Sequence, residues 1–80
     1  MTDEEILSQV AEIVRDVIGD DAVVLTMNTV AQDVAGWDSM AHINIIVAAE
    51  QKFGVKFKTA SLEEAQNTGD LVRLIKSGLG

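Results

Sequence analysis

Asp38-Ser39-Met40-Ala41-His42-Ile43-Asn44-Ile45-Ile46-Val47-Ala48-Ala49-Glu50-Gln51-Lys52-Phe53-Gly54 carries both a start and a stop for a helix, and its reading decides the fold. Asp38 is a good N-cap. Its carboxylate can accept from the orphan amides of the first turn, which puts Ser39 at the first helical position with its oxygen directed outward. An anionic group built on that oxygen would sit against the positive end of the helix dipole and its free amides. Gly54 ends the helix after Phe53. The apolar residues in between are too many for one stripe. Ile45, Ile46, Ala49 and Phe53 recur at near-helical spacing as a core face, leaving Met40, Ile43 and Val47 at i, i+3, i+7 as an adjoining stripe that begins beside Ser39. Burial and partner contact are both open for Ile43. Val47 is expected to be exposed, as part of a docking surface.

Upstream lies a connector, Asp20 to Trp37, with no sustained helical period. Its length exceeds the usual limit of about 12–15 residues for a structureless loop in a compact domain. Val23, Val24, Leu25, Met27, Val30, Val34 and Trp37 give it anchors, so a loop pinned to the core is expected. The alternative is a strand at Ala22-Val23-Val24-Leu25 paired with Val55-Lys56-Phe57. Before the connector, Thr2-Asp3-Glu4-Glu5 forms a capping box. Ile6, Val10, Ile13 and Val17, widened by Leu7, Val14 and Ile18, make one apolar stripe, and Gly19 closes the helix. Glu5, Gln9, Glu12, Arg15 and Asp16 occupy the opposite, solvated face. Downstream, Ser61-Leu62-Glu63-Glu64 predicts a short capped helix ending near Ala65. Thr68 is expected to cap a last helix with Leu71, Val72 and Ile75 at core spacing, and Ser77-Gly78-Leu79-Gly80 is expected to fray. The expectation is an all-α fold, a small four-helix bundle of three main helices plus one short helix, with a long loop between the first and second helices.

Eighty residues suit one small domain, 1–80, with a modest core and no deep enclosed pocket, which argues against an autonomous enzyme. Thirteen acidic residues against six basic leave a formal charge of -7. That balance repels nucleic-acid backbones and anionic lipid surfaces and suits partner proteins with basic patches. No apolar run approaches the roughly 18 residues of a membrane span, and the acidic start does not resemble a secretory signal, so a monomeric cytoplasmic protein is expected. Without cysteine there is no disulfide and no thiolate ligand, and any thiol chemistry uses an imported thiol. His42 is the one histidine, and Asp20, Asp21 and Asp33 lack calcium-loop spacing, so no metal site is expected.

Asp38-Ser39-Met40 after a long loop, Glu50-Gln51-Lys52-Phe53-Gly54-Val55-Lys56-Phe57 at the exit of the following helix, and Thr68-Gly69-Asp70-Leu71-Val72 together resemble the acyl carrier protein family, which includes peptidyl carrier domains. The resemblance covers essentially the whole length. It implies that Ser39 is esterified with phosphopantetheine from coenzyme A by a phosphopantetheinyl transferase. The arm's thiol then carries an acyl or aminoacyl thioester between loading and acyl-transfer enzymes. Two departures stand out. Met40 replaces the leucine that usually follows the serine, a swap of similar volume. The second helix also lacks the acidity of fatty acid synthase carriers, with Ala41, His42, Asn44 and Gln51 at positions where the resemblance leads one to expect acids. Recognition is therefore expected to shift toward Met40, Ile43 and Val47, in a stand-alone carrier of a specialised pathway rather than primary fatty acid synthesis.

Two other uses of Ser39 remain. It could be a nucleophile with His42 as base, since i and i+3 are neighbours on a helix, although a triad also needs an oxyanion hole and a dry cleft. It could also be an ordinary helix-start serine in an unmodified acidic interaction module. Against that, Asp38 already serves as the cap.

Overall fold

Thr2 opens the first helix through the reciprocal pair that its spacing to Glu5 predicts. The Glu5 amide donates to Thr2 Oγ1 at 3.2 Å and the Thr2 amide donates to Glu5 Oε1 at 2.9 Å. The Thr2 backbone N–H, with the Thr2 hydroxyl contact behind it, holds the Glu5 carboxyl below the usual carboxylate range. In this computed structural model, which describes residues 1–79, that helix is α1 (Asp3–Ile18), followed by α2 (Ser39–Phe53), α3 (Thr59–Glu64) and α4 (Thr68–Leu79). A single 3-10 turn, Ala31–Asp33, lies in the connector, and no strand occurs among the described residues. The paired-strand alternative is therefore not adopted: 23–25 alternates inward and outward without a partner, with Val23 and Leu25 buried and Val24 75% exposed. Val24 is not an anchor.

Helix α1 packs against both α2 and α4. Ile6, Val10 and Val14 of α1 meet Ile45 and Ala49 of α2 and Val72 and Ile75 of α4 in one core, with Val23 and Leu25 of the connector closing it. Burying one such side chain is worth about 1.5–3 kcal/mol. Arg15, expected to be only solvated, donates Nε–H to the Val23 carbonyl at 2.7 Å and so ties the connector to α1.

The second tie is at the start of α4. Thr68 donates its amide, at 2.8 Å, and its hydroxyl, at 3.0 Å, to the Thr29 carbonyl, while the Gly69 amide donates to the Met27 carbonyl at 2.8 Å. These are amides that a helix start leaves without intrahelical partners. Thr68 is consequently not the cap expected from the sequence. It is buried within the helix, and Asn67 caps instead, its Oδ1 accepting from the Asp70 amide at 2.8 Å. Ser61 is likewise inside α3, whose N-cap is Lys58 without a side-chain bond. The α3–α4 link is braced by Asp70, which accepts from the Gln66 amide at 2.9 Å and pairs with Arg73 at 2.8 Å. The Gln66 N–H is the main cause that keeps the Asp70 carboxyl below its usual range.

The fraying expected from Ser77 onward does not occur through Leu79, because Gly78 packs directly on Val55. The final residue of that stretch, Gly80, lies outside the described residues. Lys76 also holds Asp3 at 3.0 Å across the α1–α4 pair.

Gly69 permits the close passage of the connector: a Cβ there would stand 2.6 Å from the Met27 carbonyl oxygen. Gly69→Ala is expected to lower stability by about 2 kcal/mol, through strain and a weakened connector tie, seen as a fall in Tm of roughly 8–16 °C. Val14→Asp, which sets an unpaired charge at a fully buried position, is expected to cost on the order of 4 kcal/mol and abolish the cooperative thermal transition.

Candidate functional site

Asp38 has extended backbone, φ -96° and ψ -173°, and its Oδ1 accepts from the Ala41 amide at 2.8 Å. The cap role read from the sequence is the one it performs. The His42 amide donates to the Asp38 carbonyl at 2.9 Å to begin the helical ladder. That leaves the amides of Ser39 and Met40 without a protein partner among the described residues. Ser39 is exposed, and no side-chain hydrogen bond engages its hydroxyl among those residues. An unoccupied hydroxyl beside two free amides at a helix N-terminus can accept an anionic substituent, with charge stabilisation of about 0.3–1 kcal/mol at an exposed position.

The double stripe of α2 divides as its spacing suggests. Ile45, Ile46 and Ala49 are buried and Phe53 is half-buried, whereas Met40 is 71%, Ile43 59% and Val47 45% exposed. For Ile43, which was open between core and surface, the structure selects the surface. Ala41 is 8% exposed and packs inward, so it is not one of the solvent positions where a carrier would place an acid. The charged groups near this face are Asp38 at its start and Glu50 and Lys52 at its end. Glu50 uses Oε2 to accept from the Phe57 amide at 3.0 Å, and Lys52 lies 3.6 Å from Glu12 of α1.

His42 does not serve Ser39. Its Nδ1 accepts the indole N–H of Trp37 at 3.2 Å, and the two rings lie 6.2 Å apart at 29°. Among the described residues no carboxylate orients the imidazole, and the groove at Ser39, bordered by Trp37, Asp38, His42 and Ile43, is open. A nucleophile and base in such an arrangement lack the dry cleft and third group that the hydrolase reading needs. Sequence reasoning missed the Trp37–His42 pairing, because separation by five residues across a helix start follows no helical neighbour rule. It also missed a narrow cleft of about 60 Å³ behind that pair, walled by Ile46, Leu62 and Leu71. Its walls come from α2, α3 and α4, and only their packing brings them together.

The sequence profile of the family described as "Phosphopantetheine attachment site" matches residues 8–75. Over 77 residues the chain is 35% identical to an acyl carrier protein of Thermotoga maritima, covering 96% of this chain and 95% of that protein. It is 33% identical over 76 residues to the meromycolate extension acyl carrier protein of Mycobacterium tuberculosis, covering 95% of this chain and 66% of that one. The solution NMR structure of holo acyl carrier protein from Geobacter metallireducens is similar at a TM-score of 0.85 and 40% identity, covering 91% of this chain and 84% of that one. The fold and these matches define a carrier rather than a catalyst, with covalently attached phosphopantetheine as its prosthetic group. The chain belongs to the acyl carrier protein family. Neither the hydrolase nor the unmodified interaction module is favoured by these findings.

Removing the cap tests the local geometry independently of any attached group. Asp38→Ala is expected to cost about 1 kcal/mol, and Asp38→Asn much less because its amide oxygen still accepts from the first turn. Urea denaturation of the unloaded protein reads the difference.

Proposed function

We propose that Ser39 is the attachment residue: its oxygen is esterified by the phosphate of phosphopantetheine, transferred from coenzyme A by a phosphopantetheinyl transferase. The observation that carries this reading is the exposed, unbonded Ser39 hydroxyl beside the free amides of Ser39 and Met40. The chain's other serines lack that setting. Ser8 lies within α1, Ser61 within α3 and Ser77 within α4. When bound, the arm supplies the thiol that this cysteine-free chain lacks and holds an acyl or aminoacyl group as a thioester.

The protein's own contribution is positional. Asp38 holds the first turn of α2 closed without consuming the Ser39 hydroxyl, and the free Ser39 and Met40 amides would stabilise the negative charge of a phosphodiester built there. Met40, Ile43 and Val47 offer apolar contact to whichever enzyme approaches. Tethering raises the local concentration of the thioester at each partner without new bond-making groups in the carrier. The partners are the transferase and the enzymes that load and unload the cargo. A single carrier domain over residues 1–80, monomeric and acting in the cytoplasm, completes this reading.

The pathway we favour is a specialised one. An exposed α2 face dominated by Met40, Ile43 and Val47, with Glu50 and Lys52 engaged in contacts of their own, supports recognition by shape and apolar area more than by charge steering.

Incubation with a broad-specificity phosphopantetheinyl transferase and coenzyme A is expected to add one phosphopantetheine to the wild type and none to Ser39→Ala, by intact mass. No gain on the wild type, or an equal gain on the variant, would refute Ser39 as the site. Val47→Glu is expected to reduce kcat/KM of the cognate loading enzyme about tenfold while leaving Tm nearly unchanged. A fall in Tm instead would mean that Val47 supports the core.

A further inference from the structure

Trp37 and His42 are the chain's only tryptophan and only histidine, and they meet where two cavities adjoin. On one side is the open groove that runs past Asp38, Ser39 and Ile43. On the other is the narrow cleft walled by Ile46, Leu62 and Leu71. Ala31, Trp37 and His42 line both. The cleft, at about 60 Å³, has room for only a few water-sized groups. A chain of several methylenes tethered beside Ser39 therefore needs the cleft to widen, and Trp37 and His42 are the large side chains that border both it and the groove.

The backbone around the pair is held. The Trp37 amide donates to the Val34 carbonyl at 3.2 Å, Gly36 sits at φ +88° against Ile18, and His42 is within the first turns of α2. Besides the stacking of their rings, the two side chains are linked by one exposed hydrogen bond, from Trp37 Nε1–H to His42 Nδ1 at 3.2 Å. It exists only while Nδ1 is unprotonated, which places the proton of neutral His42 on Nε2. Protonation of Nδ1 would set N–H against N–H. Among the described residues, Asp38 is the one other ionisable residue lining either cavity, and the polar groups facing from the α3–α4 side, Gln66, Asn67 and Thr68, are uncharged.

We propose that the Trp37–His42 pair is a gate between the attachment groove and the cleft, and thereby a determinant of cargo specificity. A compact polar cargo such as an aminoacyl group stays in the groove with the pair closed. An apolar acyl chain enters the cleft only as the pair opens, and loss of His42 favours entry. This inference rests on Ser39 as the attachment residue.

The test uses isotope-labelled protein loaded enzymatically with hexanoyl- or alanyl-phosphopantetheine, with NMR observation of the single indole N–H of Trp37 and the methyls of Ile46 and Leu71. Hexanoyl loading is expected to shift the indole and the methyls together, and alanyl loading to leave the methyls unmoved. His42→Ala, and Trp37→Phe as a variant that keeps a ring without the donor, are both expected to enlarge the methyl shifts on hexanoyl loading. Methyl shifts with an unmoved indole, or an identical response in wild type and both variants, would overturn the gate while leaving the carrier reading intact. Failure of the wild type to gain phosphopantetheine mass would overturn the attachment reading first, and the gate with it.

Discussion

Thr68 directs its amide and its hydroxyl to the Thr29 carbonyl, and Gly69 directs its amide to the Met27 carbonyl. A helix start must find partners for such amides, and a long connector must find partners for its carbonyls. Here the two needs meet. A connector of this length would otherwise carry a large ordering cost. The tie at α4, together with Arg15 on the Val23 carbonyl and the burial of Val23 and Leu25, fixes its path from α1 to α2. The direction in which the chain arrives at Asp38 follows from that path, and with it the presentation of Ser39.

At the site, adjacent residues divide the work. Asp38 already caps the first turn through the Ala41 amide, so Ser39 has no capping duty. Ala41 turns inward and helps seat the first turn, while Met40 and Ile43 remain outside. A helix buried on one side thus offers solvent an apolar stripe beside a free hydroxyl. In a chain with a formal charge of -7, solubility is maintained elsewhere on the surface, leaving this face free to bind by contact.

Much of the fold was legible because its signals are local. The Thr2–Glu5 box, the Asp38 cap, and Gly19 and Gly54 at the ends of α1 and α2 act within a turn, and each stands where spacing places it. The errors arose where a local signal competed with a distant partner. Thr68 has the chemistry of a cap, but a carbonyl 39 residues away takes its hydroxyl, and Asn67 caps instead. Gly78 has the composition of a frayed end, but Val55 packs on it. Val24 is as apolar as its neighbours, yet an extended segment can turn only alternate residues inward.

By itself, the sequence determined the helices, the ends of α1 and α2, the free serine after a capping aspartate and the existence of a second apolar stripe on α2. Those depend on residues within a few positions of one another. Only the tertiary structure decided that Ile43 lies outside and Ala41 inside, that α4 holds the connector, and that Trp37 and His42 stand between the Ser39 groove and an apolar cleft. Burial and cavity walls are set by which helices pack together, and that packing joins residues that no local spacing relates.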